Sequence, residues 1–112
     1  MIIITSPRTN EDFEAYYDLR YQVLRKPLGQ PKGTEKDDYE PISHHFTAVD
    51  EQTGEVVGVV KLYEKAPGQG QVSHMAVAEA YQNQGVGRML VEAVEEKARA
   101  LGLKTVGMTR TT

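Results

Sequence analysis

The most constraining feature of the sequence is a change from strand-like to helix-like patterning between residues 71 and 102. Residues 71–77 have the composition of a strand, and a short loop follows them. From Gly85 onward, apolar residues recur at the spacing of one helix face: Val86, Met89, Leu90, Ala93, Val94, Ala98 and Leu101. Gly102 stands where a left-handed residue commonly ends a helix. A strand that leads through glycines into an amphipathic helix predicts a helix packed on a sheet.

The other segments predict one more helix and four more strands. Thr9 or Asn10 caps a helix that Pro27 ends near Lys26, because the residue before a proline avoids the helical conformation. The further strands are predicted at residues 2–4, 45–49, 55–63 and 104–109, with turns at 50–54 and 66–70. Residues 27–41 contain three prolines and predict a long loop with one helical turn. The order β-α-loop-β-β-β-α-β predicts a mixed α/β (α+β) fold with a mostly antiparallel sheet, in one domain over residues 1–112.

Composition and charge exclude several classes of protein. The chain has no cysteine, which excludes disulfides, thiolate zinc sites and cysteine nucleophiles. A formal net charge of −3 argues against a nucleic-acid partner, because binding phosphates needs a basic surface. Apolar runs are short, and the N-terminus lacks a basic start followed by a long apolar stretch. We therefore expect no membrane span, no signal peptide and a cytoplasmic location.

The glycines that open the second helix predict an anion-binding turn. Backbone N–H groups at a helix start have no partner within the helix, and the helix dipole adds positive charge there. Glycines let a phosphate approach those groups closely. A dinucleotide fingerprint would need a third glycine where Leu90 stands, and no Gly-Lys-Ser or Gly-Lys-Thr triplet of a nucleotide loop exists. The alternative is that Gly85 and Gly87 only shape a tight turn.

The longer pattern Gln82-x-x-Gly85-x-Gly87 resembles the acyl-coenzyme A loop of the GNAT superfamily of N-acetyltransferases. The resemblance implies acetyl-coenzyme A as cosubstrate, with its pyrophosphate at the helix start and its pantetheine paired to the strand before it. The residues that it implies for cofactor binding are Met75, Ala76, Val77, Gln82, Asn83, Gln84, Gly85, Val86, Gly87 and Arg88. It also implies that a backbone N–H near residues 75–77 binds the oxyanion of the reaction.

The family normally continues past its fifth strand with another helix and two strands, and that helix usually supplies a tyrosine that protonates the departing thiolate. This sequence ends at Thr112, just after the fifth predicted strand, so we expect a short member without those elements. Two functions follow from the resemblance. One is transfer of an acetyl group to a primary amine of a small molecule or peptide; the other is a non-catalytic module that binds coenzyme A.

The acceptor amine must lose a proton, and the base is not obvious from the sequence. We expect a water-relayed proton path at Ser73, with Glu64 or an acidic loop residue assisting. Strand alternation predicts that His74 faces the opposite side from Ser73. His44 and His45 are expected to be surface or satisfied core residues, since two histidines without a third ligand do not make a metal site.

Two further expectations concern surfaces. Glu35, Asp37, Asp38 and Glu40 make the long loop acidic, so it is either a solvated mixed-charge loop or a lip that attracts a cationic amine. The last strand, at residues 104–109, would present an uncovered edge with unpaired N–H and C=O groups. We therefore predict a homodimer through this C-terminal strand.

Overall fold

The seven main elements follow the predicted order. In the computed structural model, which describes residues 1–108, they are β1 (Ile2–Thr5), α1 (Asn10–Leu24), β2 (His44–Asp50), β3 (Val56–Ala66), β4 (Gln69–Val77), α2 (Val86–Ala100) and β5 (Thr105–Met108). Short 3₁₀ turns lie at Lys26–Leu28, Glu40–Ile42 and Glu79–Tyr81. The sheet has the order β1-β2-β3-β4-β5; β4 and β5 are parallel and the other neighbours antiparallel. The predicted mixed, mostly antiparallel fold is confirmed.

Local sequence explains where the elements begin and end. Thr9 Oγ1 accepts the N–H of Asp12 at 3.0 Å, and the Asp12 carboxylate accepts the N–H of Thr9 at 3.2 Å, which closes a capping box at the start of α1. The expected end of this helix at Lys26 is late by two residues, because a separate 3₁₀ turn begins there. The β3–β4 turn is shorter than the predicted 66–70, because Gly68 adopts a left-handed φ of 74° and closes it in two residues.

The sheet separates two apolar clusters. Helix α2 covers one face and packs against apolar residues of the central strands: Ala48, Val57, Val60, Leu62 and Val72. The close approach of α2 requires Gly58, where an added Cβ would lie 3.0 Å from Leu90 Cδ1. Helix α1 covers the other face, where Tyr16, Val59 and Ala76 form a smaller cluster. Neither helix of the described residues has the length and apolar character that spanning a bilayer requires.

A β-bulge in β4 places His74 differently from the prediction. Val59 pairs with Ala76 but Lys61 pairs with Ser73, so Val60 faces two residues on β4. His74 absorbs the extra length with a left-handed φ of 55°. The expectation that His74 faces away from Ser73 is therefore wrong, because the bulge breaks the alternation on which it rested. The His74 ring and the Ser73 hydroxyl are in contact, with Nδ1 3.1 Å from Oγ.

Candidate active site

The loop between β4 and α2 is held in place by its own glutamine side chains. Gln82 Nε2 donates to the carbonyl of Val77 at 3.0 Å, and Gln84 Nε2 donates to that of Ala80 at 3.0 Å. Asn83 and Gly85 both adopt left-handed backbone conformations, with φ of 64° and 84°. These bonds and turns fix the direction in which the start of α2 points.

The start of α2 carries backbone donors without acceptors. No side chain caps the helix at Gly85, and the first hydrogen bond runs from the N–H of Met89 to the carbonyl of Gly85 at 3.1 Å. Among residues 1–108, the backbone N–H groups of residues 84–88 make no short, well-directed hydrogen bond. An added Cβ at Gly85 or Gly87 would meet no atom within 4 Å, so the space beside these two residues is unobstructed. The start of α2 therefore offers backbone donors to an anion.

The edge of β4 that leads to this loop is open. Strand β5 pairs with β4 only from Gln69 to Val72, where Met108 is the last described partner. Residues 73–77 of β4 have a partner strand on the β3 side and none on the other side within the part of the chain described. Within residues 1–108, Met75, Ala76 and Val77 thus lie on a strand edge without a neighbouring strand. Gln82 bonds the Val77 carbonyl, and the other backbone groups of this edge can pair with an extended ligand.

Below the long loop, two fully buried cations pair with two carboxylates. Arg20 Nη1 of α1 lies 2.8 Å from Glu40 Oε2, and Lys61 Nζ of β3 lies 3.0 Å from the same oxygen. Lys61 also forms an ion pair with Asp37. We call these four residues the ion-pair cluster. Burial raises the pKa of Glu40, but hydrogen bonding and charge from Arg20 outweigh it and lower the pKa to about 2.

Aromatic groups of α1 and a histidine of β2 complete the cluster. Arg20 Nη2 donates to the Tyr16 hydroxyl at 2.8 Å, and burial raises the pKa of that phenol. Burial also raises the pKa of Tyr17, to about 12. His45 Nε2 lies 3.0 Å from the carbonyl of Glu40, so it carries the proton and Nδ1 accepts from the Tyr16 hydroxyl at 2.8 Å. The sequence predicts that His45 is a surface or satisfied core residue. It is half-buried, and both of its ring nitrogens have a hydrogen-bond partner.

His74 connects the ion-pair cluster to the open part of β4. Its Nε2 lies 3.5 Å from Arg25 Nη2, and a guanidinium can only donate, so the ring proton belongs on Nδ1. Nδ1 lies 3.1 Å from Ser73 Oγ and 3.9 Å from Asp37 Oδ2. Burial lowers the pKa of His74 to about 4, with the charges of Arg20 and Lys61 acting in the same direction. The ring is therefore neutral at physiological pH.

Comparison with known proteins identifies the family and the fold of the chain. The model of the acetyltransferase (GNAT) family matches residues 10–112, which is most of the chain. The chain belongs to the GNAT family. Its fold is similar to that of a GNAT acetyltransferase from Staphylococcus aureus, with a TM-score of 0.82 and 14% identity over 98% of this chain and 74% of that one.

Two further solved structures are similar to this GNAT chain. An acyl-CoA N-acyltransferase from Pseudomonas aeruginosa has a TM-score of 0.77 and 23% identity, over 95% of this chain and 74% of that one. An acetyltransferase from Bacillus subtilis, in complex with CoA, has a TM-score of 0.69 and 28% identity, over 96% of this chain and 62% of that one.

The structure brings only part of the predicted GNAT site together. Ser73 is 4% exposed and lies beside His74 at the bulge. Glu64 is exposed in the β3–β4 hairpin, where its Oε2 accepts the N–H of Gly68 at 2.8 Å. Glu64 is two residues from Leu62 on β3, so both side chains lie on the face of the sheet that α2 covers. Ser73 lies on the opposite face. Asp37 of the long loop is a carboxylate on the Ser73 side, where its Oδ2 lies 3.9 Å from His74 Nδ1.

The long loop is neither freely solvated nor a free acidic lip. Glu35 is 4% exposed, with Oε1 accepting the N–H of Gly33 at 2.7 Å, and the carbonyl of Glu35 accepts from Arg20. Glu40 and Asp37 are neutralised by the buried cations. Both sequence interpretations missed this, because each treated the loop charges without their partners. Two features of the sequence indicated that loop carboxylates pair with buried cations: Arg20 on the apolar face of a helix and Lys61 inside a valine-rich strand. Each of these side chains needs a carboxylate partner once it is buried.

Proposed function

We propose that this chain transfers an acetyl group from acetyl-coenzyme A to a primary amine. The observation that carries the proposal is the run of backbone N–H groups over residues 84–88 that make no short, well-directed hydrogen bond at the unobstructed start of α2. Membership of the GNAT family supports the same activity, and the CoA complex of the Bacillus subtilis relative supports the same cosubstrate.

The residues fit coenzyme A along one continuous path. The N–H groups of residues 84–88 bind the pyrophosphate, and Arg88 adds a positive charge in the first turn of α2. The free edge of β4, from Met75 to Val77, pairs with the extended pantetheine arm. When bound, acetyl-coenzyme A supplies an acyl group activated as a thioester. A backbone N–H on the same edge stabilises the negative charge that develops on the acyl oxygen.

The acceptor amine approaches on the Ser73 side of β4. A free alkyl amine has a pKa of about 10.4, so it must lose a proton before it attacks. The His74 Nδ1 proton is directed at Ser73 Oγ, which leaves the hydroxyl proton of Ser73 free to bond a water. We propose that Ser73 holds a water that relays the amine proton to the Asp37 carboxylate, whose Oδ2 lies 3.9 Å from Nδ1 of the same His74 ring and which ends the step protonated. Glu64 stabilises the hairpin instead.

Calorimetry with free coenzyme A tests the anion site. Gly85→Val places a branched side chain before the donors and should weaken binding by about tenfold or more, about 1.4 kcal/mol. Gly102→Val is the matched control, because Gly102 also has a left-handed φ, of 73°, and open space around it, but lies at the other end of α2. Equal affinity in the two variants would contradict the proposal.

A thiol-release assay with acetyl-coenzyme A and a panel of primary amines tests the transfer itself. Release that depends on the amine is the expected result. Tight binding of coenzyme A without release on any amine would instead favour the non-catalytic module.

A further inference from the structure

Arg25 differs from the other cations on the Ser73 side of the sheet. Arg20 and Lys61 each have a carboxylate partner, whereas no carboxylate oxygen of the described residues lies within 4.0 Å of Arg25. Its guanidinium thus lies at the edge of the ion-pair cluster with no carboxylate bonded to it among the described residues. Arg25 is half-buried, where water compensates the charge only in part.

The position of Arg25 is fixed by both its backbone and its side chain. It caps the C-terminus of α1, with its N–H donating to the carbonyl of Tyr21 at 3.0 Å. Its Nε donates to the carbonyl of Thr34 at 3.0 Å, which aims the guanidinium at β4. The two terminal nitrogens make only long contacts, Nη1 to the carbonyl of Leu24 at 3.4 Å and Nη2 to His74 Nε2 at 3.5 Å. The guanidinium is therefore held in one orientation, and its terminal N–H groups can still donate to a ligand.

This donor face lies beside the residue to which we assign the amine proton. Arg25 Nη2 and Ser73 Oγ contact opposite nitrogens of one imidazole, that of His74. A group bound to the terminal nitrogens of Arg25 is thus separated from the reacting amine by little more than the width of the His74 imidazole. A planar, bidentate donor fits the two oxygens of a carboxylate or a phosphate better than any neutral group.

We infer that Arg25 is a specificity-determining residue that binds an anionic group of the acceptor, so that the substrate is a primary amine bearing a carboxylate or a phosphate a few bonds away. This inference rests on the proposed transfer function and names its substrate class. A purely structural role, holding the loop through Thr34 and complementing the dipole of α1, would leave the choice of acceptor unaffected.

Paired acceptors separate these roles. The pairs are glycine with glycinamide, phenylalanine with phenylalanine amide, and O-phosphoethanolamine with ethanolamine. For each acceptor, kcat/KM is calculated from the concentration of the unprotonated amine. For the wild-type protein, we expect the anionic member of at least one pair to exceed its neutral partner by about tenfold or more. The first two pairs report a carboxylate and the third a phosphate.

Arg25→Gln should remove this preference by raising KM for the anionic member much more than for the neutral member, while leaving the affinity for coenzyme A unchanged. Any effect through the contact with His74 falls equally on both members of a pair and leaves their ratio unchanged. Lys26→Gln removes the same charge from the neighbouring exposed residue and should preserve the preference. Arg25→Lys keeps the charge but loses the fork, and should retain only part of the preference. If the Arg25→Gln variant fails to fold, the Arg25→Lys variant still tests the preference.

Two results would overturn the inference while leaving the transfer function intact. One is a wild-type protein that acetylates neutral amines as well as their anionic partners. The other is an Arg25→Gln variant that loses activity equally on both members of each pair. Absence of thiol release with every amine would instead overturn the proposed function and this inference with it.

Discussion

Glu40 is the residue on which the buried charges of this protein depend. Its Oε2 accepts from Arg20, from Lys61 and from the backbone of Asp37, while the two cations are completely buried. Removing one partner of a buried ion pair leaves an uncompensated charge, which costs far more than the intact pair contributes. Glu40 therefore stabilises the fold mainly by compensating the charges of two buried cations.

Glu40→Gln should lower the free energy of unfolding by about 3–5 kcal/mol, measured by urea denaturation, because Arg20 and Lys61 lose their shared carboxylate. Asp37→Asn should cost less, since the Asp37 side chain is 32% exposed and water screens it. Glu64→Gln is the control, with an expected change within about 0.5 kcal/mol at an exposed site. Equal effects at Glu40 and Glu64 would contradict this account of the cluster.

His74 should make stability depend on pH between its two pKa values. Its pKa is about 4 in the folded chain and 6.5 ordinarily, so in this window the unfolded chain binds more protons. The contribution of the neutral ring is complete above pH 6.5 and is lost as pH falls, by up to about 2 kcal/mol at pH 5. His74→Asn is the suitable variant, because asparagine tolerates the left-handed backbone. Urea denaturation at pH 7.5 and 5 should show a smaller difference in the variant; an unchanged difference would exclude His74 as the source.

At the scale of elements, helix α2 and strand β4 each depart from regular geometry where we place the ligands. Helix α2 begins on an uncapped glycine, and β4 contains a bulge at His74. Both features leave the scaffold less stable than a capped helix and a regular strand would. We expect such departures where a site needs exposed donors and a redirected side chain.

Gly87→Ala separates the stability of α2 from its binding role. Gly87 lies in the first turn of the helix, and an added Cβ meets no atom of the described chain within 4 Å. Alanine should raise the free energy of unfolding without ligand by about 0.5–1 kcal/mol, because glycine is a poor helix former. The same methyl group should leave coenzyme A binding nearly unchanged, because the loop pattern that the sequence resembles has glycine or alanine at this position. Thermal melts and calorimetry measure the two effects, and a loss of affinity as large as that of Gly85→Val would contradict this account.

At the scale of the whole molecule, the β5 side of the sheet is the least covered surface of the described residues. All of Thr105–Met108 is exposed, including Val106 at 40% and Met108 at 55%. An apolar groove of about 250 Å³ runs between this strand and α2, lined by Val91, Val94 and Leu103 among others. β5 pairs with β4 on one side and with no other strand among residues 1–108.

We propose that this edge pairs with a second copy of the chain, since a symmetric contact between two identical edges is the simplest closed solution. Light scattering at micromolar concentration should then give twice the chain mass of 12.5 kDa. Val106→Lys places a charge in the proposed interface and should return the protein to monomer mass. A wild-type mass near that of one chain would reject the dimer.

The order of helices and strands and the anion turn follow from local sequence. Apolar spacing defined α2, and the glycines of the Gln82-x-x-Gly85-x-Gly87 motif marked its start, because helix periodicity and chain reversal depend on neighbouring residues. The bulge at His74 could not be predicted in this way, since it arises from the mismatch in register between β3 and β4. The pairing of Lys61 with Asp37 likewise joins residues far apart in the chain. Only the tertiary structure decided which charges pair. A lysine buried in an apolar strand needs a carboxylate partner, and the sequence alone cannot say which carboxylate the fold brings to it.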